Sequence, residues 1–154
     1  MKKLVSVLMI VLSISLVGCS SDDSGGSTGD SLYLKFTFEG QNYNFEPSTL
    51  TSLQKVILGN EDVNDVITTL VLEMPENPSL GTFTISDATP TDANLATLHG
   101  ANLSIDNATY RGNGGSLKFT SVTDEYIIGT FNFTGVDENG AAFTVTNGSF
   151  KAYN

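Results

Sequence analysis

One segment, EYIIGTFNFTGVDENGAAFTVTNGSFKAY over residues 125–153, limits the folds open to this chain more than any other. Its apolar residues recur with a period of two. Ile127, Gly129, Phe131 and Phe133 share one parity, and Phe143 and Val145 face them across Asp137-Glu138-Asn139-Gly140. Successive side chains of a strand point to opposite faces, so this pattern describes half-buried β-strands and no helix. Turn-forming residues interrupt it as DENG at 137–140 and NG at 147–148, which predicts strands over 125–136, 141–147 and 149–153.

The start of the domain repeats the signal. In LYLKFTF, Leu32, Leu34, Phe36 and Phe38 share a face, while Lys35 and Thr37 take the other. Glu39-Gly40-Gln41 is a turn, with Gly40 supplying the positive φ that tight hairpins often need, and Tyr43 and Phe45 resume the alternation until Pro47. Further strands are expected at 53–58 (LQKVIL), 66–74 (VITTLVLEM), 79–85 (SLGTFTI), 101–105 (ANLSI) and 116–122 (SLKFTSV). Between them lie GNEDVND at 59–65, a polar run from Asp87 to Asn94 with room for a short helical turn, and RGNGG at 111–115. No stretch sustains a long 3.6-residue apolar period, and no crossover helix is on hand for a parallel sheet. The chain is therefore expected to be all-β, a single antiparallel β-sandwich or an open, β-barrel-like meander. An apolar-Gly-Thr-Phe echo, at Leu80–Phe83 and Ile128–Phe131, is read as a shared local need of two strands rather than a duplication.

Ahead of the strands the composition changes. Lys2 and Lys3 precede a largely apolar run from Leu4 to Val17, then Gly18 and Cys19, the only cysteine in 154 residues. This is the layout of an export signal, too short and wrongly flanked for a lasting membrane span. Residues 16–19, LVGC, resemble the lipobox of bacterial lipoproteins, which implies cleavage before Cys19 and a diacylglycerol on its sulfur. An unpaired thiol in an exported protein is otherwise a reactive liability. Residues 20–30, SSDDSGGSTGD, read as a solvated tether. Three segments result: a signal peptide at 1–18, the lipidated cysteine with its acidic Ser/Gly/Asp tether at 19–30, and a single all-β domain at 31–154. SSDD after the cysteine resembles the surface-export signal of Bacteroidetes lipoproteins, implying an outer-membrane protein displayed at the cell surface and anchored through Cys19.

Loss of residues 1–18 removes Lys2 and Lys3 and leaves 5 basic against 17 acidic residues, a formal charge of −12. Lys35, Lys55, Arg111, Lys118 and Lys151 are scattered along the chain and make no stripe for a nucleic-acid backbone. Gly129-Thr130-Phe131 and Thr146-Asn147-Gly148-Ser149-Phe150 close the chain, and FTFEGQNYNF at 36–45 opens its first hairpin. In these elements the chain resembles small flavobacterial-type surface lipoproteins. The resemblance implies a β-rich domain and a cell-envelope location. It supplies no catalytic residue, because that family has no agreed activity.

Residues that carry chemistry are sparse. His99, the only histidine, has no cysteine to complete a zinc site and is read as a solvent-facing strand-end or turn residue. No serine lies in GxSxG, and no phosphate-loop signature accompanies Gly112, Gly114 and Gly115. The 17 carboxylates make chance pairs inevitable, and no pair stands out as the acid and base of a glycosidase. One acidic cluster, Asn60, Glu61, Asp62, Asn64 and Asp65, is a candidate calcium loop, although it lacks the EF-hand order. Among the tyrosines, Tyr33 and Tyr126 are opposite in parity to the apolar faces of their strands and are candidate ligand-facing rings. The expected function is a non-catalytic envelope domain, binding or structural, with a glycan, a peptide or an envelope protein as partner and lipid as anchor. The alternative is an extracellular hydrolase of polymers working through paired carboxylates. No cofactor is expected other than calcium at that loop.

Overall fold

The computed structural model describes residues 31–63 and 65–154; Cys19, the signal segment and the tether lie outside them. The strands in chain order are β1 (Tyr33–Phe38), β2 (Gln41–Phe45), β3 (Ser48–Thr51), β4 (Gln54–Val63), β5 (Val66–Pro75), β6 (Gly81–Thr84), β7 (Gly100–Ile105), β8 (Ala108–Val122), β9 (Tyr126–Asp137) and β10 (Ala142–Tyr153). They form one antiparallel sheet in the order β2-β1-β10-β9-β8-β7-β5-β4-β3, with β6 added beside the second half of β8. The fold is all-β, as the alternation predicts: a curled, open meander whose two halves face each other across one core.

The ends of the curled sheet nearly meet. A Cβ built on Gly59 of β4 would lie 2.8 Å from Leu34 of β1 and 2.8 Å from Phe45 of β2. The Thr49 hydroxyl in β3 donates to the Tyr153 carbonyl in β10 at 2.8 Å, and Lys55 Nζ donates to Asn154 Oδ1. The concave face holds the core: Leu34, Phe36 and Phe38 of β1, Leu70, Leu72 and Met74 of β5, and Phe131, Phe133, Val145 and Phe150 of β9 and β10 are all buried. Every phenylalanine but Phe83 belongs to this cluster, and Phe83 packs against it.

Several expected breaks are bulges within longer strands. Asn147-Gly148 does not turn the chain back. β10 runs straight through with an extra residue between Val145 and Gly148, and Asn147 takes a positive φ of 54°. The buried parity changes there from Phe143 and Val145 to Phe150 and Ala152, which in a period-two reading imitates the end of a strand. RGNGG is likewise part of β8, with Asn113 the extra residue opposite Gly135 and Thr134. GNEDVND is not a loop either, since β4 pairs with β5 through Val63↔Val66.

Two short motifs of β9 and β10 mesh. Phe131 pairs with Gly148, and Phe150 pairs with Gly129. A Cβ on Gly129 would fall 2.6 Å from Phe150 Cζ, and one on Gly148 would fall 2.5 Å from Phe131 Cδ2. The concave side of a curled sheet is short of room, so setting each ring against a residue without a side chain lets both rings fit. The two copies of the Gly-Thr-Phe echo share one neighbour. Gly81-Thr82-Phe83 and Gly129-Thr130-Phe131 lie on opposite sides of β8, both in register with Phe119-Lys118-Leu117. Phe119 thereby has a glycine on each flank.

Candidate functional site

The convex face of β1, β10 and β9 gathers the two tyrosines singled out by parity. Tyr33 is paired with Lys151, Lys151 with Ile128, and Tyr153 with Tyr126, so these side chains share one face. Tyr126 and Tyr153 stack with centroids 5.6 Å apart and planes 21° from parallel. Lys151 Nζ lies 4.2 Å above the Tyr126 ring, and Lys35 Nζ lies 5.0 Å from that of Tyr33. Tyr33 and Tyr126 are half-buried, Tyr153 is 53 % exposed, Lys35 is exposed and Lys151 is buried at 9 % exposure, so Lys151 supports the rings from beneath. A cation over a ring is worth roughly 0.5–1 kcal/mol at an exposed site, more once desolvated. These contacts hold two long lysine chains flat, which reduces the ordering cost of a later encounter.

The same face collects cations that are scattered in sequence. Lys35 pairs with Ser149, Ser149 with Thr130 and Thr130 with Lys118, so Lys35 and Lys118 bracket a hydroxyl pair in one row. Farther along, Thr134 and Thr144 pair across β9 and β10, and Asn132 Nδ2 donates to Ser116 Oγ at 3.1 Å. The surface is a cluster of stacked rings and lysines at one end, with Tyr153 its most exposed ring, and exposed hydroxyl and amide groups beyond. Rings can cover the C–H face of a sugar, while ammonium, hydroxyl and amide groups can bond its hydroxyls. The lysines were readable from parity, since 33 and 35, and 151 and 153, fall on the same side of their strands.

The acidic cluster is differently arranged from the loop expected of it. Asn60, Glu61 and Asp62 are ladder residues, opposite Thr69, Thr68 and Ile67 of β5. Strand alternation sends Glu61 to the face opposite Asn60 and Asp62, which divides the oxygens that a cation would need together. Asp65 occupies the turn with φ 63°, and Asn64 lies outside the described residues. Among the described residues no three His, Cys, Asp or Glu side chains converge so as to hold a metal.

His99 corrects a second expectation, for it is only 3 % exposed rather than solvent-facing. It precedes β7 with the parity of Ala101 and Leu103, whose side chains are in the core. Its ring stacks on Phe83 at 4.3 Å and 11°, and tilts against Phe119 at 6.1 Å. Nδ1 donates to the Thr97 carbonyl at 2.9 Å, which places the proton on Nδ1 and leaves Nε2 with its lone pair. Burial holds the imidazole below its ordinary pKa, with the Thr97 bond acting weakly the other way. The ring therefore stays neutral at pH 7.

Beside His99 lies a cavity of about 130 Å³, walled by Pro75, Pro78, Phe83, Thr97 and His99. Pro75, Asn77 and Ala96 also line an adjoining groove of about 300 Å³, together with Leu53, Glu76 and Leu95. The segment forming one rim is held by Asn94, whose Oδ1 accepts from the Thr91 amide at 2.7 Å and whose carbonyl accepts from the Leu98 amide at 2.8 Å. No protein-family model, no curated protein and no solved structure matches the chain.

Proposed function

We propose that this chain is a non-catalytic, lipid-anchored domain of the cell surface whose convex sheet face engages a glycan. The observation that carries the reading is the grouping of Tyr33, Tyr126 and Tyr153 on adjoining strands, braced by Lys151 and flanked by the exposed Lys35 and Lys118, on a domain with few cations to spend. The exposed threonines that continue this face supply the hydroxyl partners a sugar would need. The lipobox at Cys19 and the tether after it support anchoring and display, and the flavobacterial-type motifs support the same envelope location.

Screening the purified chain against a glycan array and envelope fractions, beside a broad panel of polymer hydrolase substrates, tests the proposal. Saturable glycan binding should fall about tenfold in Tyr126→Ala and in Tyr33→Ala. Polymer turnover abolished by replacing a single carboxylate would overturn it in favour of a hydrolase. Anchoring is tested separately: Cys19→Ser should move the protein out of the membrane fraction, and an unchanged distribution with unchanged gel mobility would refute lipidation.

A further inference from the structure

We infer that the cavity beside His99 binds a phenolic ring, whose hydroxyl donates a hydrogen bond to His99 Nε2. This site is on the concave side of the sheet, and it does not rest on the glycan reading of the convex face. Three observations converge on it. The first is an acceptor that faces the cavity. His99 Nδ1 is committed to Thr97, while no fully buried side-chain nitrogen among the described residues lacks a partner, so Nε2 meets the cavity that His99 lines. Apart from this one accessible nitrogen the histidine is 97 % buried, so a group that bonds Nε2 must approach from the cavity.

The second observation is size and wall chemistry. At about 130 Å³ the space matches a single six-membered ring, since apolar cavities of about 150 Å³ take up benzene. Three of its walls are themselves rings, Pro75, Pro78 and Phe83, with Phe83 already stacked on His99, and Asn77, Ser79 and Thr97 add polar edges. The third is charge. A neutral imidazole offers no cation to a carboxylate or phosphate, and Glu76 beside the adjoining groove repels both. An uncharged aromatic ring with one O–H donor satisfies all three. The groove running on past Leu53, itself 75 % exposed, gives a path for chain on either side of such a ring, so a tyrosine of a peptide and a free phenol are both sources of the group.

His99 is the only histidine in the full chain, so its imidazole signals in a ¹⁵N-labelled sample need no assignment. The full chain is titrated with p-cresol, with toluene as the ring lacking the donor, and with a short tyrosine peptide and its phenylalanine twin. p-Cresol should shift the His99 Nε2 signal saturably and bind about tenfold more tightly than toluene, the gain expected of one neutral hydrogen bond. His99→Phe should erase that preference while keeping the stack on Phe83. Ala96→Trp, at an exposed rim position, should block every ligand without changing thermal unfolding, and it decides the matter if His99→Phe fails to fold. A tyrosine peptide binding more tightly than p-cresol assigns the ring to a peptide partner; binding no tighter assigns it to a free phenol. Either result supports the phenolic class. Absence of saturation by p-cresol up to its solubility, or equal affinity for toluene, overturns the inference.

Discussion

Replacing Gly129 by alanine puts a methyl group where two other groups already are. The new Cβ would fall well inside van der Waals contact of the carbonyl oxygen of Lys118, which is fixed in the β8–β9 ladder, and 2.6 Å from Cζ of Phe150. Carbon atoms settle at about 3.5–4 Å, so the ring has to retreat by about 1 Å. Phe150 is poorly placed to do so, being fully buried between Phe119 and Phe131, with centroids 6.2 and 6.4 Å away. Overpacking a tight core costs roughly 1–3 kcal/mol, and a backbone oxygen as one obstacle places this case near the top, at about 3 kcal/mol. Gly40→Ala is the control. Its φ of +79° is left-handed but nothing lies within 4 Å, so the expected loss is about 1 kcal/mol. In urea denaturation, with an m-value of about 2 kcal/mol/M, Gly129→Ala should lower the midpoint by about 1.5 M against about 0.5 M for Gly40→Ala. Adding Phe150→Leu should cost about 1 kcal/mol less in the Gly129→Ala background than in the wild type, because the ring that clashes is gone. Equal midpoints for the two glycine variants, or strict additivity with Phe150→Leu, would refute the argument that these glycines exist to seat the rings.

His99 should make stability depend on pH. Its folded pKa is depressed, so the unfolded chain binds more protons as pH falls below about 6.5, and stability should decline there. Urea stability measured at pH 7 and pH 5 should fall less in His99→Phe than in the wild type, and parallel declines would count against a buried neutral ring. Deleting Asn154 should cost about 1–3 kcal/mol, because the buried Lys55 ammonium loses its acceptor, whereas Lys55→Met should be nearly neutral; equal losses in thermal melts would contradict this. Asp137 Oδ1 accepts from the amides of Asn139 at 2.9 Å and Ala141 at 2.7 Å, so Asp137→Ala should cost about 1 kcal/mol in the same melts and Asp137→Asn less. No difference between those two substitutions would show that the side-chain oxygen does not hold the turn.

Strands with unbroken parity are the legible part of this fold. β1 and β2 are joined by Glu39 and Gly40, both with positive φ, where the turn residues stand in the sequence, and β9 likewise follows from its alternation. Bulges are harder, because an extra residue reverses the parity and a reversal looks like an ending. Asn113 and Asn147 produce that effect, splitting β8 and β10 on paper while the ladders continue. β3 has only Leu50 as an apolar marker, and that side chain is 59 % exposed, so its pairing with β4 leaves almost no trace in the pattern. At the candidate site, parity suffices to turn Tyr33 and Tyr126 outward. Their placement on one shared face depends on the adjacency of β1, β10 and β9, a long-range fact that no local pattern encodes. His99 illustrates the converse: its flanks look like a turn, and it is Phe83 and Phe119, from two other strands, that enclose it.

The pairing of β1 with β10 has a consequence for how the domain comes into being. Asn147 and Thr37, which bond across that pair, are 110 residues apart, and the links from Thr49 and Lys55 to the last two residues span 104 and 99. Closing a flexible loop of that length costs about 4 kcal/mol in chain entropy before any contact repays it. Topologies with so many distant contacts fold in milliseconds to seconds rather than microseconds. During synthesis the first hairpin emerges with the β1 edge open, and that edge waits for nearly the whole chain to arrive. A chain of this kind remains threadable until its final strand is released, and in that interval the charged side chain of Lys35 sits on the very strand whose edge is bare, where charge discourages pairing with the wrong chain.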